Sequence, residues 1–418
     1  MTFTLTTLPN GLRVATEDLP GVETVSLAIS VDVGARHETD AQHGISHVLE
    51  HMAFKGTNKR SALEIAECFD NIGGHLNAYT SHEHTVYYAK TLKDDLPLSV
   101  DVLCDIVQHS TFDPDELERE QQVILQELAM HHDTPDDLVF DQFQEKAFEQ
   151  QALGRSILGT ADSITRHSPD DLRQFVATHY HPQRIVISAA GRIEHQQLLR
   201  LLESHLELAP AHPHPTADAA RYTGGHSVVK KSLEQLQLVM GVEAPTIRSN
   251  DYYTLQLLSI ILGGGMSSRL FQEAREKRGL VYTIQSFASC YQDTGLFAVY
   301  AATGEAESKT LLPLIADEWH KLCDGISEPE LTRAKNQQKA SLLMARENSA
   351  SVAEWIGRHF LQFGEYRAAA EISNRIDRIT AADVLALATQ LFTSPRLTLA
   401  ALGPTNHVMN TQAGLFAS

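Results

Sequence analysis

Of all the residue spacings in the chain, His47-Val48-Leu49-Glu50-His51 is the one best suited to chemistry. On a helix, residues four apart share a face with Cβ atoms roughly 5 to 6 Å apart, so His47 and His51 can grip one metal ion between them. Glu50, three residues after His47, can reach a water beside that ion without being a ligand, and can take its proton. A catalytic zinc needs a third protein ligand and an open fourth position. Residues 115–131 offer candidates on a second helix. There Leu117, Ile124 and Leu128 form an apolar stripe, and Glu120 and Glu127, seven residues and so about 20° apart around the axis, run along its edge. Glu118 points away. A carboxylate beside a core needs a cation or a partner, and both edge glutamates qualify on this reading.

The elements that must hold these residues can be read around them. A strand over residues 24–34 precedes the short helix of the pentad. A second helix starts at Ser61 with Glu64 as its capping-box partner and stops at Gly73-Gly74. Two strands follow, 75–80 and 85–92, joined by a polar turn. Asp113-Pro114 opens the long helix of the two glutamates, with proline at its first position, and Thr134-Pro135 opens another. The first residues alternate like a strand and turn at Pro9-Asn10-Gly11.

Residues 164–191 align without gaps on residues 376–403, an offset of 212 where half the chain is 209 residues. In each copy an Asp-containing helix start leads to an apolar-periodic helix, then Arg184 or Arg396, then an apolar strand ending in Gly191 or Gly403. The stretch 209–221, with three prolines, separates the halves. This predicts a duplication: domain 1–208, linker 209–221 and domain 222–418. The fold class expected is α+β, two tandem related α/β sandwiches with mostly antiparallel sheets.

Bulk properties exclude several classes. With 34 basic and 53 acidic residues the formal charge is -19, which repels nucleic acid and anionic membrane. No stretch of about 18 apolar residues is present, and the N-terminus lacks the pattern of a signal peptide, so a cytoplasmic, membrane-free protein is expected. Cys68, Cys104, Cys290 and Cys323 are widely spaced and suggest neither disulfides nor a thiolate site. Gly263-Gly264-Gly265 enters a helix that ends at Gly279, but no P-loop spacing follows, which argues against nucleotide binding. The other histidine pairs, His82 and His84, His131 and His132, and His212 and His214, read as solvated turns and loops.

The order H-x-x-E-H, 75 intervening residues, then Glu127 resembles the M16 metallopeptidases, the group of pitrilysin, insulysin and the mitochondrial processing peptidase. The resemblance covers essentially the whole chain. It implies that His47, His51 and Glu127 bind one zinc ion per chain, that Glu50 is the general base, and that Glu120 orients a zinc-ligating histidine. Residues 73–80, GGHLNAYT, are similar to the family's edge strand, on which a substrate peptide adds as an extra strand against main-chain groups of Asn77 and Ala78. The stretch RLFQEAREKRGLVY is similar to the second-half signature whose Arg and Tyr, here Arg275 and Tyr282, hold the substrate carbonyl and stabilise the oxyanion. The function implied is a zinc endopeptidase acting on unfolded peptides in an enclosed chamber. In size the chain resembles members that pair, so a homodimer is implied, or a heterodimer with a related chain, with Arg275 and Tyr282 serving the other copy's zinc. The alternative is a non-catalytic or partner-dependent subunit of the same fold, a scaffold or peptide-binding module.

Overall fold

The computed structural model describes residues 2–207, 215–393 and 396–408. Much of the segment expected to link the halves, with His212 and His214, therefore lies outside the described residues.

The strands, in chain order, are β1 (Thr2–Thr7), β2 (Arg13–Asp18), β3 (Thr24–Val31), β4 (His75–Thr80), β5 (Thr85–Leu92), β6 (Ile185–Gly191), β7 (Gly225–Lys230), β8 (Leu236–Glu243), β9 (Val281–Cys290), β10 (Gly295–Thr303) and β11 (Thr398–Gly403). They form two sheets, ordered β1-β2-β6-β3-β5-β4 and β7-β11-β8-β10-β9. Only β2 with β6 and β7 with β11 run parallel; the other neighbours are antiparallel. The fold is thus two tandem mixed helix-and-sheet domains, and apart from the extra β1 the second sheet repeats the order of the first.

The duplication extends to atomic detail. Ser168 caps the helix Pro169–His179 in a capping box with Asp171, and Thr380 caps Ala381–Phe392 with Asp383, at the same offset of 212. Such caps typically contribute about 1 kcal/mol each. Each copy then ends its strand on a glycine at φ +120° (Gly191) or +127° (Gly403). This backbone region is open to glycine alone, and a Cβ on Gly191 would overlap the Thr24 carbonyl oxygen of the neighbouring strand. Gly191→Ala is expected to destabilise the chain by about 2 kcal/mol or more, read as a lowered denaturation midpoint. An unchanged midpoint would mean that the close approach is not real.

The compact units are not contiguous in sequence. One comprises Met1–Ala129, Arg155–Asp218 and Met344–Tyr366, the other Met130–Gly154, Ala219–Leu343 and Arg367–Ser418. Each unit takes in one helix from the other half. In the first, the helix Ser349–Phe363 lies on β2, β3 and β6, where Val352, Ala353, Ile356 and Phe360 bury against Ala15, Val186 and Ala190. In the second, the helix Pro135–Ala147 lies on β7, β8 and β11, burying Val139 and Phe143 against Val239 and Ala400. The other face of the first sheet carries the large core of that unit, with Val48, Leu49, Leu103, Ile124 and Phe175 among its fully or nearly fully buried residues.

Near the expected site the local reading holds closely. The helix Ala62–Asp70 is capped by Ser61 and Glu64, β4 and β5 keep their expected bounds, and the long helix spans Pro114–His132. Two expectations are corrected. The strand expected to reach Gly34 stops at Val31: Asp32 still donates its N–H to the Arg184 carbonyl, but the Arg184 N–H turns away to His181, the Val33 N–H folds back onto the Val31 carbonyl, and a 3-10 turn starts at Ala35. The helix after the glycine run is wound as a π-helix over Phe271–Glu276. All four cysteines are free, and none of the described helices is long and apolar enough to cross a membrane.

Candidate metal centre

The pentad lies on the helix Ile45–Met52, whose start is unusual. Gly44 precedes it at φ +86°, and no side chain of Gly44 can cap it. The cap comes from Glu38, whose carboxyl oxygens accept the N–H groups of Gly44 at 2.7 Å and Ser46 at 2.8 Å. Glu38 is 4% exposed, and burial, only partly offset by those donors, pushes its pKa up to about 7. Because the folded value lies above the ordinary value of 4.5, its stabilising effect is complete below pH 4.5 and is lost as pH rises toward 7. From pH 5 to 8 the stability of wild type relative to Glu38→Gln is therefore expected to fall by up to about 3 kcal/mol, measured by urea denaturation at each pH. Parallel curves would refute this account of Glu38.

Along this helix His47 and His51 stand side by side, ring centroids 4.8 Å apart. From the helix Pro114–His132 Glu127 reaches both: its Oε2 lies 3.8 Å from His47 Nε2 and 3.5 Å from His51 Nε2. These separations exceed hydrogen-bond length. Two ligands each 2.0 to 2.2 Å from a tetrahedral zinc stand roughly 3.4 Å apart, so the donor set fits a shared ion better than a shared proton. Among the described residues these three are the one group of His, Cys, Asp and Glu with ligand atoms this close, all within 4.8 Å. Burial, and secondarily His51, lowers the His47 pKa to about 4, so its imidazole is neutral and its nitrogen lone pair available at physiological pH.

Glu120 sits about two helical turns back and plays a different part. Its Oε2 accepts a hydrogen bond from His51 Nδ1 at 3.1 Å, and its Oε1 accepts one from Lys55 Nζ at 2.6 Å. That leaves His51 Nε2 facing Glu127. Glu50 shares the helix but lies outside the donor group; burial raises its carboxyl pKa, opposed by hydrogen bonds from Thr80. Thr80 is the last residue of β4, so one strand sets both the Glu50 carboxyl and the neighbouring sheet edge.

β4 is the edge strand of its sheet, paired only with β5, with Asn77 opposite Tyr88 and Ala78 opposite Tyr87. The Asn77 side-chain oxygen accepts the Ala78 N–H at 2.9 Å. Tyr79 donates its hydroxyl to Glu354 on the helix Ser349–Phe363 at 3.0 Å, tying the strand to a segment more than 270 residues away. Beside β4 lies a groove of about 790 Å³ lined by Phe54, Lys55, Phe69, Asn77, Tyr88 and Lys90 among others. In the second unit Arg275 and Tyr282 come together, the guanidinium 4.8 Å from the centres of both the Tyr282 and the Phe271 rings, with Tyr282 74% exposed.

Reading the sequence missed Glu38, Lys55 and the role of Thr80. Of the histidines read as solvated, His132 is exposed, but three others differ. His84 is half-buried, with burial lowering its pKa to about 4, His82 Nε2 lies 3.3 Å from the Arg155 carbonyl, and His131 Nε2 lies 3.7 Å from Asp141.

A converging His-His-Glu group beside a glutamate of raised pKa, on a helix set against an open sheet edge, is the apparatus of a metal-dependent hydrolase. Comparison with known proteins makes this specific. Residues 13–161 match the family described as insulinase, peptidase family M16, and residues 166–338 match the M16 inactive domain. A protein of Rickettsia bellii named as an uncharacterized zinc protease is 40% identical over 97% of this chain and 98% of its own, and one of Bacillus subtilis with that description is 38% identical over 96% and 98%. Among solved structures, a protease from Helicobacter pylori superposes with a TM-score of 0.89 at 25% identity, covering 96% of this chain and 99% of that one. A chain of the complex III dimer from Candida albicans superposes at 0.88 and 22% identity over 99% and 98%, a likeness of fold. The chain belongs to the M16 family of metallopeptidases, and it is a zinc-dependent protease.

Proposed function

We propose that the chain is an endopeptidase that holds unfolded peptides as an added strand on β4 and cleaves them at one zinc ion bound by His47, His51 and Glu127. The observation that carries this reading is the convergence of those three donors beside Glu50, 4.8 Å across. When bound, zinc supplies Lewis acidity, which makes water a nucleophile near neutral pH and draws electrons from the scissile carbonyl.

The protein's own groups do the rest. The Glu50 carboxylate takes a proton from the attacking water and returns it to the leaving amine, a task suited to a carboxyl whose pKa burial has raised. Glu120 holds His51 in one orientation. The free edge of β4 pairs with peptide main chain at Asn77 and Ala78, which asks little of the substrate's sequence. Arg275 and Tyr282 serve as donors to the substrate carbonyl; in support, they stack on each other and Tyr282 is exposed. We read the chain as duplicated halves, 1–208 and 222–418, joined by 209–221, acting as a homodimer in the cytoplasm, with the Arg–Tyr pair of one copy serving the zinc of the other.

The test is hydrolysis of an unstructured basic peptide by the protein purified alone. One zinc per chain and chelator-sensitive cleavage are expected; zinc retention without cleavage of any peptide would sink the self-sufficient enzyme in favour of a partner-dependent subunit. A mixture of Glu50→Gln and Arg275→Ala chains is expected to regain partial activity, and no regain would place the pair in the same copy as the zinc.

A further inference from the structure

We infer that Lys55 is a positioning residue of the metal centre, holding the Glu120 carboxyl group aimed so that His51 presents Nε2 to the zinc. The inference rests on the proposed zinc site and concerns a residue outside the donor set.

The helix Ile45–Met52 ends three residues before Lys55, and the Lys55 N–H folds back onto the Met52 carbonyl at 3.1 Å. The turn sends the Lys55 side chain past the helix end to Glu120, Nζ to Oε1 at 2.6 Å, while the other oxygen of that carboxylate takes His51 Nδ1 at 3.1 Å. One carboxylate therefore bridges an ammonium and a ligand imidazole. The Glu120 side chain is 8% exposed, that of Lys55 30%. A carboxyl group so buried needs partners for both its oxygens. Deprived of Lys55, Glu120 would keep, among the described residues, only His51 as a partner and would be free to rotate. It then ceases to be a fixed acceptor for the Nδ1 proton, and the tautomer that turns the Nε2 lone pair toward Glu127 loses its support.

Lys55 also lines the groove beside β4.

The test measures zinc affinity of the full chain by chelator competition, independently of catalysis. Lys55→Met and Lys55→Gln are expected to weaken zinc about tenfold, within the 10- to 100-fold span usual for residues behind the ligands. Lys55→Arg, which keeps the charge, should stay within about threefold. If Lys55 acts through Glu120, adding Lys55→Gln to Glu120→Gln changes affinity no further. Wild-type affinity in both neutral variants, or the same tenfold loss with and without Glu120, overturns the inference. Failure of wild type itself to bind zinc would instead defeat the zinc site on which it rests. Circular dichroism selects the folded variants, and Lys55→Gln serves if Lys55→Met does not fold.

Discussion

Replacing Glu50 by Gln is expected to lower peptide hydrolysis by about 100- to 10,000-fold, the span usual for a positioned proton-transfer group, while zinc content stays at the wild-type level. The two halves of that result come from the same helix turn. Glu50 is three residues from His47 and next to His51, yet it lies outside the group of converging donors, and its carboxyl is held instead by Thr80 at the end of β4. Gln keeps the size and one acceptor oxygen but cannot take a proton. Peptide cleavage by a zinc-loaded Glu50→Gln chain at the wild-type rate would remove Glu50 from the chemistry. Loss of zinc with the activity would make it a ligand or a structural prop.

The second large effect separates two glutamates of one helix. Glu127→Gln is expected to weaken zinc binding by about 1,000-fold, because it removes one of three ligands from a site whose total binding free energy is of the order of 10 kcal/mol or more. Glu120→Gln is expected to cost only 10- to 100-fold. The geometry gives the reason: Glu127 Oε2 faces Nε2 of both histidines, whereas Glu120 faces only Nδ1 of His51 and its other oxygen is occupied by Lys55. Chelator competition on both variants, with peptide hydrolysis at saturating zinc, checks the order. Equal losses, or a larger loss at Glu120, would reverse the assignment of ligand and support.

The two compact units bear on how such a site is held. The helix Ser349–Phe363 comes from the second half of the chain but packs on the sheet of the first unit, and through Glu354 it meets Tyr79 on β4. The strand at the proposed peptide edge thus depends on residues from both halves. Neither half of the sequence, cut at the proline-rich stretch, contains the whole of the unit that carries His47, His51 and Glu127.

Local periodicity was enough to find the pentad, since residues four apart meet on any helix whatever surrounds it. It was enough too for the capping box at Ser61, the bounds of β4 and β5, and the repeat whose caps at Ser168 and Thr380 recur at the same offset. In each case the interaction that shapes the element lies within a few residues of it. The stripe on residues 114–132 put Glu120 and Glu127 on one face without choosing between them; resemblance to the M16 family implied the choice, and in the structure Glu120 lies by His51 Nδ1 and Glu127 by its Nε2.

What only the tertiary structure decided involves contacts between residues distant in sequence or in a register no pattern encodes. Glu38 caps the helix from six residues before Gly44, across an irregular segment. Lys55 finds Glu120 across 65 positions. His84, in a polar turn of the sequence, is half-buried. The exchange of the helices Pro135–Ala147 and Ser349–Phe363 was invisible for the same reason: an amphipathic helix declares that it has an apolar face, not which sheet that face will cover. The pentad by itself specified two imidazoles and a carboxylate on one helix. Folding decided which carboxylate faces them, which cation steadies the other, and which strand runs alongside.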